Sequence, residues 1–395
     1  MVRPHDKVKE IETLAITHKG FEKIALLEIS ELLKVDEKKC KTGDSAVIFQ
    51  AKDIKQLAEL CYRSQSLSKV MLLLASFGFK SKNNKKSQDI VKGLEKTIKQ
   101  IDFSNWLKNR TFRVNCQHNH ELNVSGQDIA EQAGTYIVDM TKAKASMSDP
   151  DIIILVYITN NTCYIGIDFT GFDMSKRDYK IYAHPSSLNG SVAYCLLRAT
   201  GFKRRRVMLD PFCGSGIIPI EAALFSAGVS PNLFRKDKFA FHKFMDINLD
   251  KFDKKTDKTR QTGKKPKPTI FCSDHLLSCV KATRNNAKIA DVDKLLAVTK
   301  ADIDWLDTKY DEKTFDMIVT NPPVHSKSAD RKQVEKVYRE FFHQAEYVLK
   351  NNGKMAVLLS KTELFKKSIE GFRVIDEFII FQGKQELFVI VMKKS

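Results

Sequence analysis

The sequence predicts an α/β protein in two halves, the second a doubly wound, mostly parallel seven-stranded sheet with an antiparallel edge. From Leu188 onward, apolar β-branched runs alternate regularly with helical patterns, and such alternation builds a parallel sheet with its ligand site at the strand carboxyl ends. The last two strand-like runs are separated only by residues 382–385, which leaves room for a hairpin but none for a crossover helix. Before Leu188, strands and helices are mixed without that regularity, which predicts a separate α/β half.

Residues 11–17 read as a strand, and Gly20 opens a helix that sets Phe21, Ala25, Ile29 and Leu32 on one face. Residues 70–79 form a buried strand followed by the polar loop 80–88, and 111–116 form another strand. Ser125 caps a helix with Ile129, Ala133, Ile137 and Met140 inward. Residues 151–159 and 162–168 pair as a hairpin around Asn160-Asn161. The polar, aromatic and basic stretch 171–187 connects the halves. Strands follow at 206–210, 269–274, 295–300, 315–320, 354–360, 374–381 and 386–393, and one intervening helix turns Val334, Val337, Phe341, Ala345 and Val348 inward.

A chain of 395 residues holds two or three domains, and 43% hydrophobic with 29% charged residues excludes a disordered or fibrous protein. The formal charge of +18 favours a polyanionic partner, nucleic acid before membrane. The start MVRPHDKVKEIE lacks the apolar core of a signal peptide, and the longest apolar run, 71–79, is too short for a bilayer span. A cytoplasmic protein is expected. The eight cysteines contain no Cys-x-x-Cys pair and read as reduced thiols. Cys116, His118 and His120, and separately Cys272, His275 and Cys279, lack the second ligand pair of a structural zinc site, so no metal is expected.

Chemistry concentrates in the second half. In the run Met208-Leu-Asp-Pro-Phe-Cys-Gly-Ser-Gly an apolar strand ends at Asp210, Gly214 and Gly216 make a turn that can approach a ligand closely, and a helix begins. Pro219 stands at the third glycine position of the dinucleotide fingerprint, and no phosphate loop of the Gly-x-x-x-x-Gly-Lys type is present, which argues against NAD and ATP. Asp274 and Asp302 close the next two strands. A carboxylate can accept from both hydroxyls of a ribose, or from an adenine amino group. The fourth strand runs into Asn321-Pro322-Pro323-Val324. Two prolines remove two backbone donors and fix the turn, which holds acceptors suited to a substrate amino group.

These motifs together resemble class I S-adenosylmethionine-dependent methyltransferases, and Asp-Pro-Phe-Cys-Gly-Ser-Gly with Asn-Pro-Pro is similar to their amino-methylating branch. More narrowly, the chain resembles the THUMP-domain RNA guanine-N2 methyltransferases, through residues 14–33, Ser125 to Ile137, Tyr164 to Asp168, Ser175-Lys-Arg177 and His184-Pro-Ser-Ser-Leu188. The resemblance implies a ferredoxin-like domain at 1–62, a THUMP RNA-binding domain at 63–170, a connection at 171–187, and a Rossmann-like methyltransferase domain at 188–395 with a basic insertion at 235–268. It implies S-adenosyl-L-methionine as cofactor, tRNA as substrate with ribosomal RNA as the alternative, and a monomer outside any membrane. It leaves open the nucleotide position, mono- or dimethylation, and any activating protein partner.

The resemblance also implies roles. Gly214, Ser215 and Gly216 would line the methionine part of the cofactor, Asp274 would hold the ribose, and Asp302 would meet adenine. Ser187, Leu188, Asn189, Gly190 and Ser191 would close over the cofactor, and Asp210, Cys213, His275, Ile303 and Asn321 complete the cofactor set. Asn321, Pro322, Pro323 and His325 form the expected catalytic turn. Two departures stand out. Val324 replaces the family's usual Tyr, whose ring stacks on a flipped base, which leaves His325 as the candidate platform or, as a different class of function, an RNA-binding protein with weak catalysis. The insertion 235–268 carries 12 Lys/Arg against five Asp and reads either as a phosphate-contacting loop or as a solvated surface loop.

Overall fold

The computed structural model describes residues 10–79, 86–118, 125–159, 161–182, 188–253, 269–325 and 330–395. Ser187, His120 and the basic stretch 254–268 lie outside the described residues. The chain divides into two compact units, one of Met1–Thr17, Ala25–Met174 and Arg235–Leu249, the other of His18–Ile24, Ser175–Phe234 and Asp250–Ser395.

The first unit holds strands β1 (Ile11–Ile16), β2 (Lys41–Gly43), β3 (Ala46–Ala51), β4 (Lys69–Gly78), β5 (Phe112–His118), β6 (Ile152–Ile158) and β7 (Thr162–Asp168). They form one sheet in the order β2-β3-β1-β4-β7-β6-β5, with β5 and β6 the parallel pair. Because β4 pairs with β1 on one side and β7 on the other, the segments 1–62 and 63–170 share a sheet. Helix Glu22–Leu33 buries Ala25, Ile29 and Leu33, so Leu33 replaces the expected Leu32. At 3.6 residues per turn each step of four advances about 40°, so the buried stripe through Ala25, Ile29 and Leu33 winds slowly around the helix and leaves Leu32 beside it. Met140, near the end of helix Gly126–Thr141, is exposed, and the buried residues of that helix are Ile129, Ala133 and Ile137. Ser125 caps that helix through its Oγ, which accepts from the Asp128 N–H at 3.2 Å. Buried Asp168 accepts from Lys69 Nζ at 2.5 Å and from the Thr170 hydroxyl at 2.6 Å, which ties β4 to the end of β7.

The basic insertion departs from the expected solvated loop over its first part. Residues Arg235–Leu249 belong to the first unit. Phe239 and Phe241 are buried and stack with ring centroids 5.3 Å apart. The Arg235 guanidinium is buried over the Phe172 ring at 4.5 Å and donates to the Met174 carbonyl at 3.1 Å. Phe244 meets Trp106 and Phe169 edge-on. Aromatic burial therefore governs this segment, and its cations ride on an anchored strap.

The second unit holds β8 (Met208–Asp210), β9 (Ile270–Asp274), β10 (Leu296–Lys300), β11 (Phe315–Thr320), β12 (Leu349–Leu359), β13 (Phe372–Gln382) and β14 (Gln385–Lys394). The order is β10-β9-β8-β11-β12-β14-β13. The five strands from β10 to β12 run parallel, and β14 is antiparallel to both β12 and β13, as the short 382–385 turn predicts. Helices Gly190–Ala199, Ile217–Ala227 and Leu277–Ile289 contribute to the core on one face, and Arg331–Val348 and Glu363–Lys367 to the core on the other. The order reverses between β8 and β11, and that switch point at the strand carboxyl ends is where doubly wound sheets bind ligands. Segment His18–Ile24 also belongs to this unit. Gly20 has φ +96°, and a Cβ there would lie 2.3 Å from the Ile379 carbonyl oxygen. Among the described residues, no helix is long and apolar enough to cross a membrane.

Candidate active site

The glycine turn between β8 and helix Ile217–Ala227 is built from both sides. Gly214 (φ +53°) and Gly216 (φ +84°) take left-handed conformations that favour glycine. A Cβ on Gly216 would come within 2.6 Å of Thr283, whereas one on Gly214 would meet no atom within 4 Å. Gly216 is thus needed for packing, and Gly214 borders open space. Helix Leu277–Ile289 braces the turn: the Thr283 hydroxyl donates to the Gly214 carbonyl at 2.9 Å, and Asn286 Nδ2 donates to the Ser215 carbonyl at 2.9 Å. Asn286 also exchanges two hydrogen bonds with the Tyr182 backbone. Cys213 is buried beside Cys272, and that hydrogen bond together with burial pushes its thiol well above the usual range.

Asp274, at the end of β9, reaches back to this turn. Its Oδ2 accepts from the Gly214 N–H at 3.0 Å and its Oδ1 from the Leu276 N–H at 2.9 Å. A carboxylate offers about four acceptor positions, so capacity remains for ribose hydroxyls next to the open space over Gly214. His275 Nδ1 lies 3.5 Å from the same carboxylate. Asp302, beyond β10, is exposed, and its Oδ1 accepts from the N–H of buried Ile303 at 2.7 Å. Leu276 and Trp305, both exposed, follow the ends of β9 and β10. An S-adenosyl group needs hydroxyl acceptors, backbone without side chains and apolar surface, and this donor set fits it.

Asp210, expected in the cofactor set, lies at the end of β8. It is buried, and its Oδ1 accepts from the Thr320 hydroxyl at 2.6 Å and from the Phe212 N–H at 3.2 Å. Burial raises its pKa to about 7 against the pull of those two hydrogen bonds. It joins the ends of β8 and β11 and so fixes the residue before Asn321. Asn321 is half-buried, Pro322 is buried and Pro323 is exposed. The Pro323 carbonyl accepts from the Tyr338 hydroxyl of helix Arg331–Val348 at 2.5 Å. Val324 packs against the core that contains Tyr338 and Phe365. Half-buried His325 is held by Lys361, whose Nζ lies 3.5 Å from its Nε2 and donates to its carbonyl at 3.2 Å.

The stretch Leu188 to Ser191 enters helix Gly190–Ala199 from a buried ion pair. Arg177 donates from Nε to Glu221 Oε1 at 2.7 Å and from Nη2 to Oε2 at 3.2 Å, and the Tyr179 hydroxyl donates to Oε1 at 2.7 Å. A Cβ on Gly190 would sit 2.5 Å from Arg177, so this glycine is what lets the pair pass. The Lys180 ammonium donates to the Leu188 carbonyl, the Asn189 N–H donates to Gln382 Oε1, and Ser191 Oγ hydrogen-bonds His18 Nε2 at 2.8 Å. The braces Thr283, Asn286, Thr320, Tyr338 and Glu221 have no motif of their own. Glu221 alone carries a signal, as a single acid inside the apolar run from Ile217 to Leu224. Among the described residues no group of three or more His, Cys, Asp or Glu is arranged to hold a metal, and the eight cysteines are free thiols.

A tRNA (guanine(6)-N2)-methyltransferase of Methanocaldococcus jannaschii is 29% identical over 380 residues, covering 92% of this chain and 95% of that protein. The protein of the same name from Archaeoglobus fulgidus is 30% identical over 284 residues, covering 69% and 66%. The solved structure of a possible methylase from Clostridium difficile 630 aligns over 98% of this chain and 99% of its own, with TM-score 0.79 and 22% identity, and so shares the fold. Residues 91–168 match the THUMP domain. Residues 177–389, which carry the glycine turn, Asp274 and the Asn-Pro-Pro turn, match the RMKL-like methyltransferase domain, and the chain belongs to that family.

Proposed function

We propose that the chain transfers a methyl group to the exocyclic N2 amine of a guanosine in tRNA. The observation that carries this reading is the Asn321-Pro322-Pro323 turn, fixed at the switch point by the buried Asp210 to Thr320 hydrogen bond and set beside the glycine turn of β8. S-adenosyl-L-methionine, when bound, supplies an electrophilic methyl on a sulfonium. Gly214 would leave room for its methionine part, Asp274 would accept from its ribose, and Asp302 with Ile303 would meet its adenine. Asn321 and the turn's carbonyl oxygens would accept from the N2–H groups of the base, which holds the amine in place and localises its lone pair. This is catalysis by positioning and electrostatics.

The target base must leave its stem, because base edges in A-form RNA are poorly accessible. Val324, packed against the core, presents no stacking face, so His325, steadied by Lys361, is the platform we assign. We assign the RNA grip to the ferredoxin-like segment 1–62 and the THUMP segment 63–170, and the cytoplasm as the place of action. Asn321→Ala tests the reading. Loss of one positioned acceptor costs about 10²–10³ in rate, so turnover should fall by that factor with cofactor and RNA affinity retained. A matching loss of cofactor affinity, or unchanged turnover, would remove Asn321 from the reaction.

A further inference from the structure

The amino-terminal end of the same sheet, opposite the proposed reaction site, presents a row of cations. Lys354 of β12 stands directly across from Lys393 of β14, and Lys393 directly across from Arg373 of β13. Directly opposed residues of antiparallel strands project from one face about 4.5–5.5 Å apart, and like charges there are destabilising. Lys354 and Arg373 are exposed and Lys393 is half-buried. Among the described residues, no carboxylate pairs with any of the three. The next rung on that face holds Ala356, Val391 and a single acid, Asp376.

A second basic segment reaches the same level. Lys354 is in register with Met317 of β11, and Met317 with Met208 of β8. The Thr200 hydroxyl lies 3.8 Å from Met317 Sδ, which brings the end of helix Gly190–Ala199 to this row. The chain then runs through Lys203-Arg204-Arg205-Arg206, all exposed, with Arg205 at φ +73°. Arg206 pairs with Asp316 and Arg204 lies over the Phe225 ring, which leaves Lys203 and Arg205 without a carboxylate among the described residues. A helix carboxyl end attracts basic residues, which accounts for Lys203 to Arg206 but not for three cations drawn from three strands.

We propose that this cationic ladder, Lys354, Lys393 and Arg373 with Lys203 and Arg205 beside it, binds the phosphate backbone of the RNA substrate away from the reacting base. Phosphates compensate the cross-strand repulsion, and the Arg forks match their oxygens. The proposal rests on the RNA reading above. In the full-length protein, the variant Lys354→Gln/Lys393→Gln/Arg373→Gln is compared with wild type for tRNA binding over a salt series. Each lost phosphate contact lowers the slope of log affinity against log salt by about 0.7–0.9, so the slope should fall by about 2–3, with binding roughly fiftyfold to hundredfold weaker near 0.15 M salt. Turnover at saturating RNA and cofactor affinity should be unchanged. The charge-conserving set Lys354→Arg/Lys393→Arg/Arg373→Lys should keep the wild-type slope, and single Lys354→Gln and Arg373→Gln variants guard against misfolding of the triple. An identical slope in the folded variants overturns the ladder, including the case in which this face takes an acidic protein. A wild type that binds no tRNA refutes the RNA reading itself.

Discussion

Asp210→Asn separates what this carboxylate holds from what its charge costs. The two donors it receives, the Thr320 hydroxyl and the Phe212 N–H, both go to Oδ1, so an amide with its oxygen there keeps both. The amide cannot ionise. Burial lifts the Asp210 pKa from 3.8 to about 7, so between those values the folded chain keeps a proton that the unfolded chain has released. The stability tied to that proton is complete below about pH 4 and is lost as pH rises through 7. A gap of about 3 units at 1.36 kcal/mol each makes the full cost about 4 kcal/mol. The Asn variant should therefore gain on wild type by up to about 4 kcal/mol between pH 4 and pH 8, mostly between pH 5 and 7. Urea unfolding of the full chain at unit steps from pH 5 to pH 9 measures it, on the transition of the second unit. A stability difference that is the same at every pH would refute the buried, proton-holding carboxylate.

The ion pair under the entrance to helix Gly190–Ala199 gives a second prediction. Glu221→Ala leaves the Arg177 guanidinium buried without a counter-charge, which should cost about 3–5 kcal/mol in thermal or urea unfolding; a loss below about 1 kcal/mol would show that water reaches Arg177. Asp274→Ala should weaken S-adenosylmethionine and its demethylated product by about 1–3 kcal/mol in a calorimetric titration, and unchanged affinity would take Asp274 out of the site. Tyr338→Phe removes the hydroxyl that steadies the Pro323 carbonyl. A hydrogen bond of about 0.5–1.5 kcal/mol predicts turnover lowered about twofold to tenfold with cofactor KM unchanged, and equal turnover would mean that the prolines hold the turn unaided.

The sheet was legible because strand and helix periods differ, β8, β9 and β11 are mostly buried, apolar runs, and an acid closes or follows β8, β9 and β10. The glycine turn was legible for a related reason: left-handed backbone and close packing against Thr283 leave glycine little competition. Burial is where the reading stopped. Asp210 closes its strand just as Asp274 does, yet only packing shows that one faces inward to Thr320 and the other toward the open turn. Val324 read as a missing aromatic face, and the fold uses it as core. The insertion 235–268 reads as charge because Lys and Asp dominate its count as a whole, while Phe239, Phe241 and Phe244, interleaved near its start, decide where Arg235–Leu249 goes. The braces from Thr283, Asn286 and Tyr338 join residues distant in sequence, so no local pattern marks them.

Transfer of labelled methyl from S-adenosylmethionine to purified RNA decides whether the chain methylates guanosine in tRNA. The full-length protein is incubated separately with unmodified tRNA and ribosomal RNA pools, and the labelled nucleoside is identified after complete digestion. N2-methylated guanosine is expected in the tRNA pool and is expected to be lost with Asn321→Ala. Label appearing only in ribosomal RNA, on a base other than guanine, or in neither pool while tRNA is still bound would contradict it.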